Sequence, residues 1–248
     1  PGTYFEARFT GTTVTVRLKD DVNILNIWLD GQKVDTETKP GEGDIELGPL
    51  KDGEHTIRVE KITEVQGNSA QFTGFFVPSQ ANVLPAPVAR ARRMEFIGDS
   101  YTVGYGNTSP KHECPGDGVW ATTDNSQAFG PLTAKHYDAD YRINAISGRG
   151  IVRNYNGFIA PTLPQAYAFD IDQNGTTLTQ VNDTWSPQVI VIGLGTNDFT
   201  TPLNPGEKWA TRDAQHADYE ATYIKFVQDL RTRHPDAWFI LMATDQVD

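Results

Sequence analysis

Three short stretches carry the residue types that acyl transfer uses, and each follows an apolar run. They are Gly98-Asp99-Ser100 after residues 94–97, Ser147-Gly148-Arg149-Gly150 after residues 141–146, and Gly195-Thr196-Asn197-Asp198 after residues 189–194. Acyl transfer needs a hydroxyl nucleophile and hydrogen-bond donors aimed at the oxygen that becomes negative in the tetrahedral intermediate. Ser100 offers the hydroxyl, while its own N–H, the N–H of Gly148 and the Asn197 side-chain amide offer three donors. Glycine at 148 lets the backbone come close to a substrate that a side chain would keep away. Each stretch alone is also ordinary turn or strand-to-loop chemistry, and Asn197 alone reads equally well as an Asx turn. The coincidence of the three carries the argument.

They can meet only if the three apolar runs are neighbouring parallel strands. After Arg93 the pattern alternates strands (94–97, 141–146, 189–194, 238–242) with helical stretches. Ala128, Phe129 and Leu132 mark a helix over 126–137, despite Gly130-Pro131 near its start. Tyr219, Tyr223, Phe226, Val227 and Leu230 share the face of another helix, which stops before His234-Pro235. This is the pattern of an α/β fold: a mostly parallel sheet with helices on both faces and its strands' carboxyl ends at one edge.

The first third reads differently. Val14, Val16 and Leu18, then Leu25, Ile27 and Leu29, then Ile57 and Val59 alternate with polar residues, and Asp30-Gly31 and Asp52-Gly53 supply hairpin-type turns. Residues 1–80 are therefore expected to form an antiparallel β-sandwich without chemistry of its own, Asp52 and His55 merely flanking a tight turn. Residues 81–93, with Pro85, Pro87 and the basic Arg90, Arg92 and Arg93, read as a solvated linker to a domain over 94–248.

Composition bounds the partners. A formal net charge of -11 argues against nucleic acid and anionic membranes, and no run is long enough to span a bilayer. The single cysteine, Cys114, excludes an internal disulfide framework and any multi-cysteine metal site. Pro1-Gly2-Thr3-Tyr4 opens the chain without a signal-peptide pattern.

The three blocks resemble the SGNH (GDSL-type) hydrolases, whose blocks begin Gly-Asp-Ser, Gly, Gly-x-Asn-Asp and Asp-x-x-His. Within that group, Glu95-Phe96-Ile97-Gly98-Asp99-Ser100, Val103-Gly104-Tyr105-Gly106-Asn107 and Ser147-Gly148-Arg149-Gly150-Ile151 look like carbohydrate esterase family 2. The resemblance implies a flavodoxin-like three-layer α/β/α domain behind a jelly-roll module. It further implies an extracellular enzyme that deacetylates plant cell-wall polysaccharide such as xylan or glucomannan, needing neither metal nor cofactor. Ser100 would be the nucleophile, with Gly148 and Asn197 in the oxyanion hole.

The fourth block is missing: nothing follows Asp248, so the general-base histidine is expected on a segment outside this sequence, the rival being a chain that lacks it. The polypeptide alone is then expected to turn over acetyl esters poorly. Asp213-x-x-His216, expected between the third strand and its helix, makes His216 the candidate within the chain, although it comes in the wrong order; His112, His136 and His234 read as surface or helix-end residues. Tyr105, Trp120, Tyr155 and Trp209, expected in loops after strand ends, are candidates for stacking on sugar rings. Asp99 and Asp198 read as structural acceptors. Two other readings stay open: a lipase or thioesterase of the same fold, and a non-catalytic carbohydrate-binding protein built on a hydrolase remnant.

Overall fold

The first part of the chain forms β1 (Tyr4–Thr10), β2 (Val14–Asp20), β3 (Ile24–Leu29), β4 (Gln32–Thr38), β5 (Gly41–Leu47), β6 (Glu54–Lys61) and β7 (Gln71–Phe76). The computed structural model describes residues 1–67, 70–113, 118–167 and 185–243; Cys114 and the terminal Thr244-Asp245-Gln246-Val247-Asp248 lie outside them. The strands form two antiparallel sheets, ordered β1-β6-β3-β4 and β5-β2-β7. In β2 the apolar Val14, Val16 and Leu18 are buried and Arg17 and Lys19 exposed, so one face meets the other sheet. Phe9, Ile27, Ile57 and Val59 complete the shared core.

One of the two expected hairpins forms. Asp30 and Gly31, at φ 50° and 77°, close β3 onto β4, as a two-residue turn with left-handed residues does. Asp52-Gly53 does not close a hairpin, because β5 and β6 belong to different sheets and the chain crosses between them there. His55 is structural: Nδ1 meets Asp30 Oδ2 at 2.7 Å and Nε2 meets the Lys51 carbonyl at 2.7 Å.

The stretch read as a solvated linker is tied down. Leu84 N–H donates to the Arg8 carbonyl and Thr10 N–H to that of Asn82, so these residues run beside β1. Arg90 pairs with Asp138 and Asp140, and Arg92 donates to the Tyr137 carbonyl.

The described residues fall into two compact units: Pro1–Ala89 with Thr108–Ser126, and Arg90–Asn107 with Gln127–Asp248. The β-rich unit thus includes an excursion of the later sequence, carrying the single turn of α2 once α1 (Ser100–Val103) is passed. In α2 (Gly118–Ala121), Trp120 sits under Lys39 Nζ, 4.4 Å from its ring, and nearby Asn125 N–H donates to the Ile62 carbonyl.

The second unit holds β8 (Arg92–Gly98), α3 (Phe129–His136), β9 (Ala139–Ala145), α4 (Leu163–Ala166), β10 (Val189–Gly193), α5 (Thr196–Phe199), α6 (Arg212–Arg233) and β11 (Trp238–Met242). The strands are parallel, in the order β11-β10-β8-β9, so the order reverses between β8 and β10. Ligands of such sheets sit at that crevice, beyond the carboxyl ends. Alternate residues of β8 and β10 serve opposite faces. Ile97, Ile190 and Ile192 pack with Phe226 and Leu230 of α6, while Phe96 meets Phe129 of α3 edge-on at 5.8 Å. Gly130 is what admits α3 so close: a Cβ there would stand 2.9 Å from Phe96 Cγ. Pro131 is tolerated in the first turn, where no intrahelical N–H bond is lost. Helix α6 begins earlier than expected, so Asp213 and His216 lie within its first turns, not in a loop before it.

Candidate active site

Strand β8 ends where it does because Gly98 cannot carry a side chain: a Cβ would collide with Thr102 and approach the Gly193 carbonyl to 3.0 Å. Asp99 then turns the chain into α1, its Oδ1 accepting the Tyr101 N–H at 3.0 Å. Gly104, left-handed at φ 79°, ends that single turn. Thr102 and Val103 are buried beneath it, so Ser100 is presented half-exposed at the top of β8. Its hydroxyl has no hydrogen-bond partner among the described residues.

Beyond β9, Gly148 sits at φ 80°, and its carbonyl accepts the Tyr155 N–H at 2.8 Å. A Cβ here would be strained and 3.2 Å from the Phe158 ring. Beyond β10, Asn197 is buried at the start of α5, and its amide joins the other two loops. Nδ2 donates to the Arg149 carbonyl at 2.8 Å and to Asp99 Oδ2 at 3.2 Å. One side chain therefore fixes the segment after Ser100's strand against the segment of Gly148.

Asp198 fixes the second loop from below. Its carboxylate, 0 % exposed, accepts the N–H groups of Ile151, Val152 and Arg153 at 2.8 to 2.9 Å. Arg153 continues the scaffold, donating to Glu207 through Nε and Nη2 at 2.7 and 2.9 Å and to the carbonyls of Thr201 and Pro202. Arg153 carried no sequence signal, since its partner lies more than fifty residues on. Phe158, which rests on Gly148, was also missed, though it shares a loop with Tyr155.

Burial pushes the Asp99 carboxyl up to about 6, with the nearby Asp198 charge adding to the shift and the Tyr101 N–H opposing it. Burial likewise raises Asp198 to about 6 against its three N–H donors. A carboxyl whose pKa is raised on folding binds more protons in the folded state, so its contribution to stability falls as pH rises from about 4 to about 6. Asp99→Asn removes that titration while keeping a capping oxygen. The variant is expected to gain stability relative to the parent across this window, by on the order of 2 kcal/mol, read as a difference in melting temperature at each pH. A constant difference would show that Asp99 does not titrate there.

The aromatic candidates divide. Tyr105 and Tyr155 are 56 % and 49 % exposed, the first following α1 and the second beside Gly148. Trp209 donates Nε1 to Asp218 of α6 at 2.9 Å, and Trp120, in the connection that follows β8 and α1, belongs to the β-rich unit. The His216 ring stacks on Phe199 at 4.5 Å, and no hydrogen bond links it to Ser100. His136 ends α3, His234 caps α6, and His112 is exposed. Among the described residues no three His, Cys, Asp or Glu side chains cluster as metal ligands do.

Relatives match the chain along nearly its whole length. Residues 1–87 match the carbohydrate esterase 2 N-terminal family, and residues 96–247 the GDSL-like lipase/acylhydrolase family. The chain belongs to carbohydrate esterase family 2. Among relatives of this family 2 chain is an acetylxylan esterase/glucomannan deacetylase of Cellvibrio japonicus (strain Ueda107). It is 49 % identical over 246 residues, covering 99 % of this chain and 68 % of the relative. The cellulase/esterase CelE of Acetivibrio thermocellus is 30 % identical over 95 % of this chain and 28 % of its own length. A solved carbohydrate esterase, whose active site displays divergent catalytic and non-catalytic binding functions, superposes with a TM-score of 0.90 at 48 % identity. It covers 99 % of this chain and 72 % of that one. A family two esterase from Clostridium thermocellum in complex with cellohexaose gives 0.83 at 26 % identity, covering 100 % and 74 %.

Proposed function

We propose that this protein is a serine esterase that removes O-acetyl groups from plant cell-wall polysaccharide such as acetylxylan or glucomannan, outside the cell and without metal or cofactor. The observation that supports this reading is the Asn197 amide, which bonds both to Asp99, next to Ser100, and to the Arg149 carbonyl, next to Gly148. The relatives named above, acetylxylan esterases among them, supply the choice of substrate. The same reading takes the antiparallel module as a jelly roll and the α/β unit as flavodoxin-like.

In the first step the Ser100 oxygen attacks the acetyl carbonyl carbon and its proton passes to a base. The carbonyl oxygen becomes negative and accepts from the N–H groups of Ser100 and Gly148 and from Asn197. The bond to Arg149 holds the amide, leaving the hydrogen that points at Asp99, at 3.2 Å, to be shared with the oxyanion. Collapse of the intermediate breaks the bond to the sugar oxygen, which leaves with the proton. Water then attacks the acetyl-serine as it gives a proton to the base, and the Ser100 oxygen leaves with that proton as acetate is released. Tyr105 and Tyr155, exposed at the two flanking loops, are the residues that stack on sugar rings. Trp120 and Trp209 have the other partners already described. The reading needs a histidine base; among the described residues of the α/β unit only His216 stands in an Asp-x-x-His string, and its ring is stacked on Phe199 with no bond to Ser100.

Acetate release from acetylated xylan and glucomannan, compared with 4-nitrophenyl esters of longer acids, tests the substrate class. Asn197→Ala is expected to lower kcat for acetate release by about 10²- to 10³-fold. A loss under tenfold would remove Asn197 from the oxyanion hole. Preference for long acyl chains would replace the polysaccharide reading with a lipase one.

A further inference from the structure

Alternation along β6 puts Ile57, Val59 and Lys61 on one face, and along β2 it puts Val14, Val16, Leu18 and Asp20 on another. The apolar members of both runs fill the interior that the two sheets share. The last position of each run breaks the pattern, with a base on one sheet and an acid on the other. Lys61 and Asp20 line a cavity of about 230 Å³ at the end of the β-rich unit where β2 and β6 finish and β1, β3 and β7 begin. Phe5 of β1, 41 % exposed and stacked on Phe72 of β7 at 4.0 Å, gives the cavity an aromatic wall.

The two charged groups do not pair with each other. Asp20, 4 % exposed, accepts the N–H groups of Val22 and Asn23 and the Asn23 amide through Oδ1, whereas Oδ2 accepts only that amide, at 2.9 Å. Oδ2 therefore keeps room for another donor. The Lys61 ammonium forms no hydrogen bond or ion pair among the described residues. Burial pulls its pKa below that of an ordinary lysine, with Asp20 and Glu64 opposing, so it is partly desolvated and feels Asp20 without touching it. A desolvated donor with no acceptor costs free energy that a ligand oxygen would recover.

These groups select the chemistry of the occupant. An anion would suit Lys61 but would meet Asp20 and Glu64. A wholly apolar molecule would leave both Lys61 and Oδ2 unmet. Two adjacent hydroxyls satisfy both, one accepting from Lys61 and its neighbour donating to Asp20, while the C–H face of a sugar ring suits Phe5. The volume falls below the roughly 300–1,000 Å³ of sites for drug-sized ligands, which restricts it to one ring. We propose that this cavity is a second carbohydrate site, which takes a single neutral pyranose residue at the end of a chain or branch.

The proposal stands apart from the esterase reading, which concerns the other unit, and a failure of acetate release leaves it untouched. Xylotetraose titrated into ¹⁵N-labelled protein is expected to shift the backbone amides of Phe5, Lys61 and Phe72, with a Kd of about 1–10 mM for a single ring. Lys61→Met keeps the apolar stem and removes the donor, so the Kd read at the Phe5 and Phe72 amides should rise at least tenfold, with the amides around Gly148 responding as in the parent. Phe5→Leu, which keeps an apolar partner for Phe72 but no flat face, should weaken the same response several-fold, and it decides the matter should Lys61→Met fail to give a folded spectrum. Absence of shifts at these amides, or an affinity there that both variants leave unchanged, overturns the site. So does tighter binding of glucuronate than of xylotetraose at the same amides, which would make it an anion site.

Discussion

In protein that carries its general-base histidine, Ser100→Ala is expected to lower kcat for acetate release by about 10⁴-fold or more while leaving the melting temperature within a degree or two of the parent. The two halves of the expectation have different causes. The hydroxyl is half-exposed and bonded to none of the described residues, so removing it leaves no buried group unsatisfied. Alanine also suits the first position of α1, and the cap contributed by Asp99 is untouched. The donors at Gly148 and Asn197 stay, so activity should fall to what oxyanion stabilisation and binding alone provide. The same assay on His216→Ala separates the possible bases. An imidazole stacked on Phe199 and unconnected to Ser100 is expected to be dispensable, giving a loss under tenfold. A loss matching that of Ser100→Ala would make His216 the base. An unchanged rate in Ser100→Ala would end the acyl-enzyme mechanism.

The parts of this molecule legible in the sequence are those decided by local rules. Strand β10 is nearly all apolar because it is central and parallel, and glycine ends β8 because the Thr102 side chain and the Gly193 carbonyl leave no room for a Cβ. These facts place Ser100, Gly148 and Asn197 at one sheet edge without knowledge of any contact. What failed depended on pairing at a distance. Asp52-Gly53 has the chemistry of a hairpin, but turn residues report where the chain reverses, not which strand it pairs with next. Residues 108–126 follow the nucleophile in sequence, yet Trp120 meets Lys39 of the β-rich unit. No periodicity in such a polar stretch announces that partner. Arg153 carries no signal in the sequence, because Glu207, the carboxylate it pairs with, is distant in the chain. The same distinction governs the site: the reacting groups are local signals, whereas the network holding them is made of long-range bonds.

That network makes Asp198 the second position where a single substitution should have a large effect. Asp198→Ala removes three acceptor bonds at once from the consecutive N–H groups of Ile151, Val152 and Arg153, in a place that water does not reach. An unsatisfied buried donor costs about 1–3 kcal/mol, so the variant is expected to lose about 3–5 kcal/mol, part of the cost being relieved by loop movement. For a unit of this size that is roughly 10 °C in melting temperature. The relief is the functional point. A loop that moves to rehydrate these N–H groups carries Gly148 and the Arg149 carbonyl with it, and Asn197 loses its 2.8 Å anchor. Activity should therefore fall by more than the unfolded fraction explains, with kcat reduced at temperatures where the variant is fully folded. Asp198→Asn keeps one oxygen but turns an NH₂ toward the remaining donors, so its loss should be smaller in stability and comparable in kcat. Full activity in folded Asp198→Ala would show that the oxyanion hole stands without this support, and would confine the carboxylate to stabilising the fold.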